Sequence, residues 1–597
     1  MSERAIRIGG FSGYLGDRFT GVAEVLAGDP VDVLIGDYLA EITLAALSVR
    51  YRRDPAHGYV EHFLDQLRPH LGVLAERGAK VVTNAGGFHP AGLAAALREL
   101  IAADGAGLRV AHVAGDDVLG RLPELQRAGH RLEHLDTGRD LAGWAATPMA
   151  ANAYLGGWGI AEALAAGADV VVCGRVTDAS LTAGPAAWWH GWGREDWDEL
   201  AGAVLAGHVI ECGAHATGGN FSGFTRIPGM AVPGFPIAEV AADGSSTITK
   251  HARDGGAVTT DTVTAQLVYE IQGPTYLNPD VTTHLDAVAL APDGPDRVRI
   301  TGATGSPPPP TTKVAVFGGI GYQVVNTAFV TGLDVAAKVE LLRTQLARDL
   351  PEGITELDVT PLGTPAADPA TQWAATVPVR VMATAAEREP LERFDAAARL
   401  GSLYLQGLPG FFHDGAAGLT STPRPRIDHW PALLPMSEVP HRVVLADGSE
   451  VDVAPPVRTE PAPARPAHPE PAAPELGETR SAPLGTLAHA RSGDKGGNSN
   501  VGVWVAEDRA WPWLRDTLST AALRELLPEC AGLDVVRHEF PELRAVHFVL
   551  RGLLGTGGSS NLRVDQVGKA VGEYLRAKHV LIPVELLPDR GGNHVAD

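Results

Sequence analysis

The chain has 597 residues, 45% of them hydrophobic, and its 49 Lys and Arg against 71 Asp and Glu leave a formal charge of −22. That apolar content excludes a disordered chain, and the acidity opposes nonspecific attraction to nucleic-acid phosphates. No uninterrupted apolar run of about 18 residues marks a membrane span. Three widely spaced cysteines, Cys173, Cys212 and Cys530, suit a reducing compartment better than a disulfide framework. With no signal-like core in MSERAIRIGGFSG, the expectation is a cytoplasmic protein without nucleic-acid or membrane partners.

From residue 5 to about 215, the runs AIRIGG, VDVLIG, AKVVTNAGG, LRVAHVAGDD and ADVVVCGRVTD each end in Gly, Asn or Asp. Helix-period segments, Tyr59–Arg77 and Pro90–Ala103 among them, separate these runs. Near-continuous apolar strands linked by helices predict an α/β fold, a layered N-terminal domain with a mainly parallel sheet. Loops at the strand C-termini would then line a ligand crevice. Residues at about 220–330 are β-rich and read as an antiparallel insertion covering that sheet. Helices are expected over 333–348 and 386–402, strands near 355–361 and 377–383. A hairpin with a D-G turn, HRVVLADGSEVDVAP, closes a large domain spanning 5–454. Residues 455–481 form a Pro/Ala-rich linker, with eight prolines between Pro455 and Pro474. The remainder, 482–597, reads as a small C-terminal α/β module with strands near TLAHARS, NVGVWV, VHFVLRG and VLIPVEL and helices near 509–528 and 563–577.

The polar punctuation carries the candidate chemistry. Gly13, Asp17 and Arg18 follow the first strand, where glycines let backbone N–H groups approach an anion. Asn84, Gly86 and Gly87 end another strand, and Asp37 and Asp116 occupy equivalent tips. Arg175, Thr177 and Asp178 end a further strand, an arrangement suited to carboxylate or phosphate capture. His208, Glu211, Cys212 and His215 lie within eight residues, followed by Asn220, in a spacing that matches no standard zinc pattern. Glu270, Tyr276 and Asp280 gather in a loop stiffened by two prolines, where a buried carboxylate could serve as acid or base. The densest segment is Arg491-Ser492-Gly493-Asp494-Lys495-Gly496-Gly497-Asn498-Ser499-Asn500, read as a loop between two strands. A second glycine-rich loop, Gly555–Asn561, is read as an anion nest beside it.

Two of these stretches, LGGWGIAEALAAGADVVVCGRVTDASL and ARSGDKGGNSNVGVWV, resemble the acyclic terpene utilisation protein family over almost the whole chain. The resemblance implies a large N-terminal domain, a small C-terminal domain carrying the R-S-G-D-K-G loop, and a role in breaking down terpenoids through CoA thioesters. The residues themselves point to hydratase- or lyase-type proton transfer on a CoA-linked or carboxylate-bearing metabolite. Asp178, His215, Asp494 and Lys495 are the expected catalytic groups, and Gly13, Asp17, Arg18, Asn84, Gly86, Gly87, Asp116, Arg175, Thr177, Asn220, Tyr276, Arg491, Ser492, Asn498 and Asn500 the expected substrate contacts. No cofactor or resident metal is expected, the substrate is a small anion such as a CoA thioester, and the chain is expected to form a homo-oligomer. A non-catalytic scaffold and a metal-dependent hydrolase are the alternatives. The loop at 491–500 is further expected to lie over the strand-end crevice near Asn84 and Arg175.

Overall fold

A computed structural model describes residues 4–414, 418–464, 468–474 and 476–587. The apolar runs become parallel strands that neighbour one another in the order Ile6–Ser12, Val33–Gly36, Lys80–Thr83, Val170–Val172, Val110–Ala114. Their side chains are buried almost throughout, as a sheet covered on both faces requires. The helix Trp197–Ile210 has every residue from Leu200 onward buried, which explains its weak amphipathic signature.

The region at about 220–330 does not cover this sheet; it lengthens it. Strands Pro236–Val240, Ser246–Lys250, Arg297–Thr301 and Ala289–Pro292 add antiparallel to the Ile6–Ser12 edge. The hairpin strands Arg442–Val444 and Glu450–Asp452 extend the opposite edge from Val110–Ala114. Within the Thr/Val-rich run read as strand, Thr260–Leu267 is a helix. Thr259 Oγ1 accepts from Thr262 N at 3.2 Å and Thr262 Oγ1 from Thr259 N at 2.9 Å, and this reciprocal cap outweighs the β-branched composition. The helical stretch at 59–77 divides into His62–Leu67 and Leu71–Arg77 around Pro69.

Gly318–Asp428, together with Ala145–Thr147, forms a compact unit separate from the rest of the chain. Strand Thr376–Ala385 pairs there antiparallel with the second half of the strand Thr311–Thr331 on one side and with Ile354–Pro361 on the other. Helices Val335–Ala347 and Ala396–Ser402 pack around Leu342, Val379, Val381 and Leu400, while Arg388–Phe394 buries Leu391 and Phe394 against Val324 and Ala383.

The C-terminal module is built on the antiparallel order Ala488–Lys495, Asn498–Val505, Ala545–Leu550, Val535–Phe540. Strand Thr479–Pro483, inside the stretch read as linker, pairs with His579–Pro583. The long second helix expected here shrinks to Val571–Arg576. The segment 491–500 is a hairpin and not an open loop: Lys495 pairs with Asn498 across Gly496-Gly497, and Gly496 has φ +62°. A two-residue turn with a left-handed residue matches the twist of paired strands, and glycine adopts it without strain. The module joins the core of the large sheet domain through Trp504, Phe540, Leu543 and Ala545, which cluster with Val268 and Ile271. No described helix is long and apolar enough to cross a membrane.

Candidate functional site

Because the strands of the central sheet are parallel, their polar tips meet at one edge. Asn84 donates to Asp37 Oδ1 at 2.7 Å and accepts from Tyr38 N at 2.8 Å, locking two tips together. Asp116 Oδ2 accepts from Asn152 Nδ2 and from Arg175 N, both at 2.8 Å. Arg175, 2% exposed, donates from Nη1 to Leu39 O at 3.0 Å and to Asp178 Oδ1 at 2.5 Å, and its guanidinium lies 4.0 Å from the Tyr154 ring centroid. It follows the strand Val170–Val172, and its charge is already matched by Asp178. A Cβ at position 174 would stand 2.5 Å from Asp116 Oδ2, so glycine there lets this carboxylate keep its bonds to Asn152 and Arg175.

The hairpin turn reaches this edge within one chain. Lys495 Nζ lies 3.6 Å from Glu270 Oε2. Burial opposes its charge, but Glu270, Tyr276, Glu41 and Asp178 together hold the ammonium well above the ordinary lysine value. Glu211, at the end of the helix Trp197–Ile210, is 5% exposed; Oε1 is 3.2 Å from His208 Nδ1 and Oε2 has no hydrogen-bond partner among the described residues. Burial, then Asp178, pushes its carboxyl well above the usual range, and the same two causes act on Asp37. Burial and Lys495 push His208 down to about 4. Asp494 is pushed up to about 7 by burial and by Glu270 and Glu41. Burial, then Glu211, raises the Tyr276 phenol well above its ordinary value, and its ring stands 5.1 Å from that of His208. The result is a set of carboxyls held above the ordinary carboxylate range beside the Lys495 ammonium.

Several expected contacts hold the frame instead of facing the crevice. Gly13 donates to Asp17 Oδ2 at 3.0 Å, and a Cβ at Gly13 would stand 2.4 Å from Gly213 N, so this turn is packed shut and cradles no anion. Arg18 pairs with Glu24 at 2.6 Å, donates to Pro233 O and lies over Phe235. Gly86 and Gly87 admit the Cys173 and Gly58 carbonyls at close approach. Thr177 Oγ1 meets Ser180 Oγ at 2.5 Å, and Ser492 Oγ accepts from Gly572 N at 2.9 Å. Asn498 donates to Asp136 Oδ1 at 2.7 Å and accepts from Gly552 N, while Asn500 donates to Val268 O at 2.9 Å and accepts from Glu270 N at 3.1 Å. Asn561 closes the 555–561 loop on itself by donating to Gly557 O.

His215 turns away from His208 and Glu211 toward the C-terminal module. Its Nδ1 is 3.2 Å from Arg491 Nη2 and its Nε2 is 2.7 Å from Asn220 Nδ2. Burial, then Arg491 and Lys569, lowers it well below the ordinary histidine value. Burial also raises Cys212 far above a reactive thiol. Among the described residues no three His, Cys, Asp or Glu side chains converge as metal ligands.

The structure adds residues the motifs did not flag. Glu41 pairs with Lys313 at 2.8 Å and accepts from the Tyr154 hydroxyl at 2.9 Å. Burial opposes ionisation of Glu41, but Lys313, His429 and Arg175 hold it well below the carboxylate range. Lys569 donates to the Tyr269 hydroxyl and lies 3.8 Å from Glu270. A lone lysine inside the apolar run TTKVAVFGG was the one visible signal for Lys313.

Residues 6–445 match the model of the acyclic terpene utilisation family protein AtuA, and residues 482–581 match that of the AtuA ferredoxin-like domain. No curated protein and no solved structure matches the chain. The module holds a single cysteine, Cys530, so the ferredoxin likeness carries no four-cysteine set for an iron–sulfur cluster.

Proposed function

Since the chain belongs to the acyclic terpene utilisation family, we propose that the strand-end crevice is an acid–base active site for hydration or elimination on a carboxylate- or CoA-bearing terpenoid metabolite. The observation that supports this most is the juxtaposition of Lys495 with two buried carboxyls, Asp494, pushed up to about 7, and Glu211, held well above the ordinary carboxylate range. In the elimination direction, Asp494 as carboxylate takes the proton α to the carbonyl. The charge that develops on the carbonyl oxygen is met by the Lys495 ammonium. Glu211, protonated, delivers its proton to the departing β-hydroxyl, so that one C–H and one C–O bond break, one C=C forms, and water leaves. Hydration is the reverse. The strongly favoured ammonium form of Lys495 argues against imine formation, which needs a free amine.

The test is incubation of the full chain with 3-hydroxyacyl- and enoyl-CoA thioesters of acyclic terpenoid acids in D₂O, read by mass spectrometry. Interconversion with deuterium entering the α carbon is the expected result, lost in Asp494→Asn. No turnover and no exchange across both series would sink the reading.

A further inference from the structure

The described residues include three arginines that are nine-tenths or more buried: Arg175, Arg491 and Arg537. Arg175 is matched by Asp178 at 2.5 Å and Arg537 by Glu539 at 2.6 Å. Arg491, 7% exposed, has no carboxylate within ion-pair distance among the described residues. Only neutral groups hold it: its guanidinium carbon lies 4.4 Å from the Tyr269 ring centroid, and Nη2 lies 3.2 and 3.3 Å from the two nitrogens of the His215 ring. A guanidinium withdrawn from water without a counter-charge is unfavourable unless an anion comes to it.

The surroundings fit an incoming anion. Lys569, exposed at the rim, lies 4.7 Å from the same Tyr269 ring centroid and donates to its hydroxyl. Arg491, Lys495 and Lys569 have Glu270 as their one ion-pair partner among the described residues; Glu41 and Asp178 are matched by Lys313 and Arg175, and Asp494 is pushed up to about 7, so positive charge is in excess on this side of the crevice. The arrangement is also kept stiff. Asn220, at φ +56°, fixes His215 from the far side at 2.7 Å, and the His215 and Tyr269 rings meet edge to face at 5.9 Å. Arg175, by contrast, already has its counter-charge in Asp178, although its buried Nε has no hydrogen-bond partner among the described residues.

We propose that Arg491, Lys569 and His215 form an oxyanion-binding subsite beside Lys495, taking a phosphate or carboxylate group of the substrate. This deepens the proposed function and rests on it for the location of the chemistry. Arg491 supplies planar paired donors, Lys569 a mobile point charge at the rim, and His215 a neutral imidazole whose presence adds no competing charge. The anion is thereby bound through the C-terminal module, the same element that delivers Lys495, so recognition and chemistry are set by one hairpin.

Equilibrium binding separates this from the catalytic reading. The full chain is titrated calorimetrically with inorganic phosphate, coenzyme A and geranate, in the wild type and in Arg491→Gln, Arg491→Lys, Lys569→Gln and Asp494→Asn. At least one probe should bind the wild type, and Arg491→Gln should weaken it by about tenfold or more. Arg491→Lys should fall between, Lys569→Gln should weaken binding several-fold, and Asp494→Asn should keep it while losing turnover. Preference for coenzyme A and phosphate assigns a phosphate source; preference for geranate assigns a carboxylate. Should Arg491→Gln fail to fold, Lys569→Gln, at an exposed side chain, carries the test. Absence of binding by every probe, or equal affinity in wild type, Arg491→Gln and Lys569→Gln, would overturn the subsite even if turnover is found. Absence of turnover in the wild type, with binding intact, would overturn the reaction and leave the subsite standing.

Discussion

Arg175 and Asp178 sit where Asp37 and Glu211 also turn inward, so one guanidinium limits how strongly the carboxyls repel one another. Replacing it by methionine keeps the stem but leaves Asp178 facing them uncompensated. Removal of one partner from a buried pair typically costs a few kcal/mol; with Asp178 23% exposed, Arg175→Met is expected to lose about 2–4 kcal/mol in urea unfolding. An unchanged midpoint would show that the pair does not organise this edge. Asp494 gives a pH-dependent counterpart. Its folded value of about 7 lies above that of a free aspartate, so the native state keeps the proton while the unfolded chain has already released it. Its stabilising contribution is full below about pH 4 and is lost as pH rises toward about 7. Asp494→Asn carries no such proton. Wild type should therefore lose stability relative to Asp494→Asn across that interval and run parallel above it. A difference that is flat with pH would show that Asp494 ionises normally.

The element that matters most is the hairpin Ala488–Lys495 with Asn498–Val505, whose turn is held by the Gly552 and Leu554 backbone and, from the large domain, by Asp136. Asp136 accepts from Asn498 Nδ2 at 2.7 Å and from Gly497 N at 3.4 Å. Asp136→Ala removes both acceptors and should cost only about 1 kcal/mol of stability. The catalytic consequence should be larger, because small misplacement of a charged group strongly reduces its worth in a transition state. The expected signature is a fall in kcat that exceeds any rise in KM, with faster amide exchange at Lys495–Asn498; normal kcat with fast exchange would separate the turn from the chemistry. This hairpin also shows where sequence reading succeeds and stops. The parallel sheet is legible because strands buried on both faces leave unbroken apolar runs, each ended by a Gly, Asn or Asp tip. The density of charge in RSGDKGG pointed to the right segment, but open-loop glycines and a Gly-Gly hairpin turn look alike until the register is known. Glu41, Lys313 and Tyr154 meet only because the chain brings the start of the strand Thr311–Thr331 to the N-terminus of the helix Glu41–Arg53, and no local period encodes that meeting. Arg18 and Asn498 misled for the converse reason: polar residues at strand ends are needed to lock loops as often as to meet ligands.

Across the whole molecule, a proline-rich tether joins two elements that nonetheless share a core. Trp504 is 1% exposed, stacks near Phe221 and donates to Asp261 Oδ1 at 3.1 Å, so a residue of the C-terminal strand Asn498–Val505 is packed within the large sheet domain. Asn500 adds bonds to Val268 O and Glu270 N beside it. If this docking places Lys495 and Arg491, the peptide link should be dispensable once the chain has folded. Arg458 stands in the linker with its side chain more than half exposed, and Val457 beside it is 98% exposed, which makes the Arg458–Thr459 bond accessible to trypsin. After limited nicking there, the two wild-type fragments are expected to co-elute on gel filtration and to retain activity. Trp504→Ala deletes a large buried ring, a change that typically costs about 3–5 kcal/mol in a core, and most of that loss would fall on the docking contact. The nicked Trp504→Ala protein should therefore separate into two fragments and lose turnover, while the un-nicked variant, held at high effective concentration by its tether, keeps part of it. Wild-type fragments that part on nicking would show that the linker, and not the shared core, holds the hairpin over the crevice.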